Sequence, residues 1–263
     1  MPEELGKEIL VESAKEVAKE VYGDALKPAV KSVGNIIALP FQAIDAALSK
    51  PKLWVAEKQY NYERTRELLA EKLKNVPEED IVPPENYVAI PALQQISYCF
   101  DSDELRDMYA NLLASSMKKD TKWSVHPAFV DIIKQLTPDE AKELKYLNSV
   151  HDIPMLGINA HKHSGGYTTV IPFFTNLPEI CNCERPMDYE KQINNLARLG
   201  LIEVNSTAGF VDKTKYEPLK NHGFIKTSLI VLENNENVSR YTFIEGMIEL
   251  TAFGKDFCKV CLG

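Results

Sequence analysis

The sequence predicts a mainly α-helical fold, with an N-terminal helical bundle followed by a winged helix-turn-helix-like α+β domain. Apolar residues recur at helical spacing through the first half of the chain, and start signals precede several of these runs. The second half reads as helix, short helix, helix, strand, long hairpin and closing helix, an order typical of a winged helix. We therefore predict amphipathic N-terminal helices over 1–50, a helical domain over 51–136 and a winged-helix-like domain over 137–263.

The composition is that of a soluble globular protein. The chain has 263 residues, of which 44% are hydrophobic and 26% are charged, enough for two domains with separate cores. Its net charge of −8 disfavours general nucleic-acid binding, because phosphate contacts need a basic surface. We expect DNA binding to be weak and strongly salt-dependent at most.

The pattern of charges and cysteines predicts a cytoplasmic protein without a transmembrane segment. Charged residues interrupt the first 20 positions, so they lack the uncharged core of a secretory signal. The uncharged run 32–44 has 13 residues, whereas a spanning helix needs about 20. Five cysteines, an odd number, favour reduced thiols.

Residues 1–50 carry an amphipathic pattern whose apolar part is concentrated in the run 32–44. Two interpretations of this run stay open: packing onto the helices that follow, or contact with a partner or a membrane surface. Few basic residues flank the run, which makes contact with an anionic membrane surface less favoured. Ile37 and Phe41 are the binding candidates here. If these two residues lie in a core, changing both to Asp would unfold the protein. If they form a contact surface, the variant would stay folded but lose activity.

Proline and acidic residues mark the helix starts of the second segment. The longest predicted helix spans 52–75, Pro91 suits the first turn of the next helix, and Pro127 opens a later one. Asp101 stands three residues before Glu104, which predicts an N-cap with a returning carboxylate. On the helix that follows, the candidate binding residues are Arg106, Tyr109 and Asn111.

The third segment begins with a strong helix start. Thr137 is followed by Pro138 and, three residues after the Thr, by Glu140, which is the pattern of a capping box. Downstream, YTTVIPFF and LIEV are strand-like, and the Ser-Gly-Gly before the first of them predicts a turn. A short helix over 177–181 and a longer one over 188–199 lie between these strands.

The end of the chain predicts a hairpin and a closing helix. Two β-rich runs, FIKTSLIVL and RYTFIEGMIEL, are separated by an Asn-rich stretch. Thr251 then caps the last helix. IELTAFGKDF resembles the strand-to-helix exit that is common in winged-helix domains.

Three stretches resemble the bacterial abortive infection alpha family: ALPFQAIDAALSKPKLWVAEK, DSDELRDMYANLLASSM and VHPAFVDIIKQLTPDEAK. The resemblance runs from about residue 36 to the C-terminus. It implies a role in phage defence, and it brings no catalytic motif that can be transferred to numbered residues.

A second resemblance concerns NNLARLGLIEV, which is similar to the reading helix and first wing strand of winged-helix domains. Their usual partner is DNA, yet over 188–199 only Lys191 and Arg198 are basic, against Asp188 and Glu190. A DNA-reading helix needs a basic surround. We therefore favour a protein partner or self-association over DNA, with Lys191 and Arg198 as binding candidates.

The sequence contains no phosphate-binding or nucleophile-elbow motif, so we predict a protein that is not an enzyme and has no cofactor. A zinc site remains an alternative, from the residues His161, His163, Cys181, Cys183, Cys258 and Cys261. The last two cysteines lie on a helical pattern beside apolar residues, where cysteine packs as a small hydrophobe. We therefore expect free thiols and no bound metal.

Three functions remain open at this point. The first is a phage-defence protein of the abortive-infection type that acts by binding. The second is a winged-helix transcription regulator that binds DNA, and the third is a toxin whose active site the sequence does not reveal.

Overall fold

A computed structural model describes the backbone of residues 55–96 and 102–263, with side chains from residue 63 onward in these ranges. The chain divides into two compact units. The helical unit comprises the described residues up to Gln135 together with Val260–Gly263, and the mixed unit comprises Leu136–Lys259. The predicted N-terminal helices of 1–50, including Ile37 and Phe41, lie outside the described residues.

Four α-helices form the described part of the helical unit before Gln135: α1 (Val55–Leu73), α2 (Asn86–Ile96), α3 (Asp103–Ser116) and α4 (Ala128–Lys134). Helix α3 is central, since it packs on the other three. The neighbouring helices bury apolar residues, among them Leu69, Leu73, Leu93, Phe129 and Ile133. Lys72 of α1 also pairs with Asp107 of α3 at 2.6 Å.

Two predicted helix starts in this unit are wrong. The N-cap of α3 is Ser102, not Asp101, because the Ser102 hydroxyl in extended backbone accepts a 3.1 Å hydrogen bond from Leu105 N. Pro91 lies inside α2 and does not open it. Proline removes one helical hydrogen bond, but α2 buries five apolar residues, which outweighs this loss: Val88, Ala89, Ala92, Leu93 and Ile96.

The mixed unit is built on a four-stranded antiparallel sheet with the order β2-β1-β4-β3. The strands are β1 (Asp152–Lys162), β2 (Tyr167–Ile171), β3 (Ile202–Asn205) and β4 (Val238–Leu250). The α-helices are α5 (Pro138–Val150), α6 (Leu177–Ile180), α7 (Tyr189–Arg198), α8 (Glu217–Lys220), α9 (Gly223–Glu233) and α10 (Ala252–Cys261). The last two residues of α10 belong to the helical unit. The described chain is therefore mixed α/β.

Most of the predicted elements of the mixed unit are confirmed. Thr137 forms a complete capping box at the start of α5, and Gly200 adopts a φ of 74° where α7 turns into β3. Thr251 caps α10 through a 2.8 Å hydrogen bond from Gly254 N to its hydroxyl.

Two predictions about strands are wrong. The run FIKTSLIVL folds as helix α9, because His222 caps it and Ile225 and Leu232, seven residues apart, face the core together. The central strand β1 is not predicted at all. Its residues are buried on both faces over Met155–Ile158, so the alternation that marks a half-exposed strand is missing.

Within the described ranges, no helix combines the length and the hydropathy that crossing a bilayer requires.

Candidate functional site

Helix α7 presents a polar outer face to solvent and an apolar inner face to the mixed unit. Tyr189, Ile193 and Leu196 are buried at helical spacing. The outward residues Lys191, Asn194 and Arg198 recur at positions i, i+3 and i+7, and all three are exposed. One side of α7 is therefore available to a partner.

The carboxylate of Glu140 forms hydrogen bonds with both α7 and the start of α5. Asn195 Nδ2 donates a 2.8 Å hydrogen bond to Glu140 Oε1. The other oxygen of Glu140 accepts from Thr137 N at 2.6 Å, and the Thr137 hydroxyl accepts from Glu140 N at 3.2 Å. Because Glu140 is 3% exposed, water competes little for these bonds. The start of α5 and the position of α7 thus depend on the same side chain.

The neighbouring carboxylate, Asp139, holds the segment that leads into α7. It accepts backbone hydrogen bonds from Glu184 N at 3.1 Å and Arg185 N at 3.2 Å. Lys142 Nζ lies 3.5 Å from it, and Cys183 Sγ donates to its backbone oxygen at 3.8 Å. These contacts fix the chain that precedes α7.

A third acidic residue of α5, Glu143, is fully buried, and neither of its carboxylate oxygens has a hydrogen-bond partner among the described residues. Burial, together with the charges of Glu140 and Asp139, raises the pKa of Glu143 to about 8. The side chain is therefore mainly a neutral carboxylic acid at pH 7. Gln192 of α7 is also buried and has an unpaired Oε1 within the described structure.

Two cysteines lie beside the acidic cluster, which consists of Asp139, Glu140 and Glu143. Burial raises the pKa of Cys181 to about 12, with further contributions from Glu143 and Asp139, and the pKa of Cys183 rises to about 12 for the same reasons. Nucleophilic attack and metal binding need the thiolate, which these surroundings disfavour. The cluster is suited to holding α7 in place and does not favour thiol chemistry.

Comparison with family models gives one match, to the family described as abortive infection alpha, over residues 57–261. This match covers most of the chain. The protein belongs to the abortive infection alpha family.

Comparison with curated proteins gave no significant match. Among solved structures, the chain is similar to the uncharacterized protein from the hydrocarbon-degrading marine bacterium Alcanivorax borkumensis SK2. The two share 13% identity over 55% of this chain and 96% of that chain, with a TM-score of 0.37. A score this low does not establish a common fold.

In this abortive infection alpha protein, the binding candidates of the helical unit lie together on α3. Arg106 is 3% exposed and forms an ion pair with Asp103. Tyr109 is fully buried and donates to Val130 O at 3.2 Å. Asn111 Nδ2 donates to Cys261 O at 3.0 Å. These contacts lie within the helical unit, and a binding role for the three residues stays a prediction.

The candidates on α7 both face solvent. Lys191 pairs with Asp188 at 3.4 Å, and Arg198 Nη2 donates to Asn195 Oδ1 at 2.6 Å. Their seven-residue spacing puts them on the same side of the helix.

Within the described residues, no group of three or more His, Cys, Asp or Glu side chains has the geometry of a metal site. His161 instead shares a 3.0 Å hydrogen bond with Thr242, and His163 is exposed. Burial raises the pKa of Cys258 to about 12. The four cysteines that the structure describes are free: Cys181, Cys183, Cys258 and Cys261.

Sequence reasoning missed Glu143 as a member of the cluster. A signal was available, since Glu143 precedes Leu147 by four residues and therefore lies on the inward stripe of α5. A charged residue in such a stripe indicates a buried titratable group.

Proposed function

We propose that this protein acts in phage defence of the abortive-infection type by binding a partner through the outer face of α7. Membership of the abortive infection alpha family supports the defence role. The observation that supports binding is the exposed row Lys191, Asn194 and Arg198 on a helix whose other side is buried.

The arrangement around α7 supports a winged-helix-like module. Helix α5 precedes β1, and the pair α6–α7 precedes β3. Strands β1, β4 and β3 lie next to one another, with β4 between the other two. In helix-turn-helix proteins, the second helix of the pair is the one that contacts DNA, and α7 holds that position in the pair α6–α7.

A protein partner, or a second copy of the chain, fits the charges of α7 better than DNA does. Lys191 is paired with Asp188, and Glu190 is exposed on the same helix. The chain as a whole carries a net charge of −8. Duplex binding draws its affinity from many unpaired cations, so this surface supplies little of it.

A transcription regulator is the second candidate. Asn and Arg side chains contact base edges in the major groove, and α7 exposes Asn194 and Arg198 on one side. Sequence-specific nanomolar binding to a DNA site, lost in Arg198→Ala, would favour this candidate over the first.

The test compares phage propagation in cells that carry the complete native locus and variants of it. We expect the double variant Lys191→Glu with Arg198→Glu to abolish protection while its thermal transition stays within a few degrees of the wild type. The matched control is Lys226→Glu with Lys255→Glu, which reverses two exposed charges elsewhere in the mixed unit. It should protect normally.

Two outcomes would overturn the proposal at different points. Normal phage sensitivity with the wild-type locus, across a diverse phage panel, would reject the defence role. Full protection by the α7 double variant would reject α7 as the binding surface and leave the defence role standing.

A further inference from the structure

The end of the sheet farthest from β3 carries a polar face of six residues. Strand β3 pairs only with the last four residues of β4, so the first part of β4 extends beyond it with β1 and β2. Residues that pair directly in antiparallel strands share a face, and so do residues two apart along one strand. This places two rows side by side, Tyr167–His161–Arg240 and Thr169–Asn159–Thr242. We name these six residues the polar platform.

Side-chain contacts hold the polar platform in one arrangement. Thr169 Oγ1 donates to Asn159 Oδ1 at 2.8 Å, and His161 Nε2 shares a 3.0 Å hydrogen bond with Thr242. The rings of His161 and Tyr167 lie 5.7 Å apart at 49°. Tyr167 is nevertheless 61% exposed, so its ring is ordered by a neighbour and still open to a planar ligand.

The charge of this face is opposite to that of the chain. None of the six residues is acidic, and Arg240 is exposed among them. The acidic residues closest in sequence to Arg240 are Glu236 and Glu245. Neither pairs with it in the described structure, and Glu245 is bound by Lys213 and Lys220.

We propose that the polar platform binds single-stranded nucleic acid. An exposed aromatic ring on a sheet stacks unpaired bases, while Arg240 contacts phosphate oxygens. Asn159 and the two threonines offer hydrogen-bonding groups to base edges. A duplex keeps its bases stacked on one another, so Tyr167 has nothing to contact there. This surface is separate from the outer face of α7, and the proposal goes beyond the function proposed above.

The test uses the purified full-length chain and fluorescence anisotropy with labelled oligonucleotides of about 20 nucleotides. The probes are oligo-deoxythymidine, oligo-uridine and a duplex of the same length. We expect both single strands to bind more tightly than the duplex, with affinity falling as salt rises from about 50 to about 200 mM. A difference between the two single strands would identify DNA or RNA as the preferred form.

Matched variants assign the binding to the platform. Tyr167→Ala should weaken single-strand binding by about fivefold or more, because it removes the stacking ring. Tyr87→Ala removes a tyrosine of similar exposure, 57%, from the helical unit and should have no effect. Arg240→Ala should weaken binding and flatten its salt dependence, whereas Lys255→Ala should change neither.

Several outcomes would overturn the proposal. These are no single-strand binding at about 50 mM salt, equal binding of the duplex, or equal losses in Tyr167→Ala and Tyr87→Ala. Tyr167-dependent binding to phosphatidylserine vesicles in the absence of oligonucleotide binding would reassign the face to a membrane surface. None of these results bears on phage protection by α7, because the platform variants leave Lys191 and Arg198 unchanged.

Discussion

Asn195 and Glu140 join α7 to α5 through a 2.8 Å hydrogen bond in which the amide donates to a buried carboxylate. Charge-assisted bonds of this kind contribute roughly 1.5–3 kcal/mol. Asn195→Ala should therefore lower the free energy of unfolding of the mixed unit by about 2 kcal/mol, measured by urea denaturation. Asn194→Ala, one residue earlier on the exposed side, should change it by less than about 0.5 kcal/mol. Equal effects of the two substitutions would show that the bond adds nothing to stability.

Glu143 should make the protein less stable as pH rises. Its folded pKa of about 8 lies above the ordinary value of 4.5, so the folded state holds a proton that the unfolded state releases. The full stability is present below about pH 4.5 and is lost progressively up to about pH 8. The predicted loss is on the order of 5 kcal/mol.

Glu143→Gln removes this titration and should flatten the dependence of unfolding free energy on pH between about 5 and 8. The other charges near Glu143, those of Glu140, Asp139 and Lys142, remain in this variant. Urea denaturation at several pH values measures the difference. An unchanged pH dependence in Glu143→Gln would contradict the raised pKa.

Elements with local signals were predictable from the sequence. The capping box of Thr137 and the stop at Gly200 are set by residues within one turn of the helix end, so they can be recognised without the fold. Helix α9 shows the opposite case. Its run of Ile, Leu and Val has strand propensity, but the helix is fixed by tertiary burial of Ile225 and Leu232.

The candidate site was predictable only in part. The helix itself follows from local sequence, and Lys191 and Arg198 are candidates because they are the only basic residues over 188–199. The contact between Asn195 and Glu140 joins residues 55 positions apart, and the contact between His161 and Thr242 in the polar platform joins residues 81 positions apart. Such pairs depend on the complete fold, and a single sequence holds no local signal for them.

Tyr216 anchors the segment between β3 and α8. Its side chain is fully buried, and its hydroxyl donates to Gly246 O at 3.0 Å and accepts from Phe210 N at 2.9 Å. Tyr216→Phe should lower the unfolding free energy by about 1–3 kcal/mol, because both backbone groups lose their partner. Tyr167→Phe removes an exposed hydroxyl and should be nearly neutral. A stability change that is equal in the two variants would contradict the anchoring role.

The thiols of the mixed unit should be unreactive in the folded protein. Burial raises the pKa values of Cys181, Cys183 and Cys258 to about 12, so less than about one thiol in a thousand is ionised at pH 8. Cys181 gives the clearest test of the raised pKa, because it is only partly buried and a small reagent can reach it. We expect its labelling by iodoacetamide, followed by mass spectrometry of its peptide, to be at least about 100-fold slower in the native chain than in urea. Rapid native labelling of Cys181, together with loss of phage protection on Cys181→Ser but not on Cys258→Ser, would instead identify a thiol nucleophile. That result would favour a toxin with a catalytic cysteine over a protein that acts by binding.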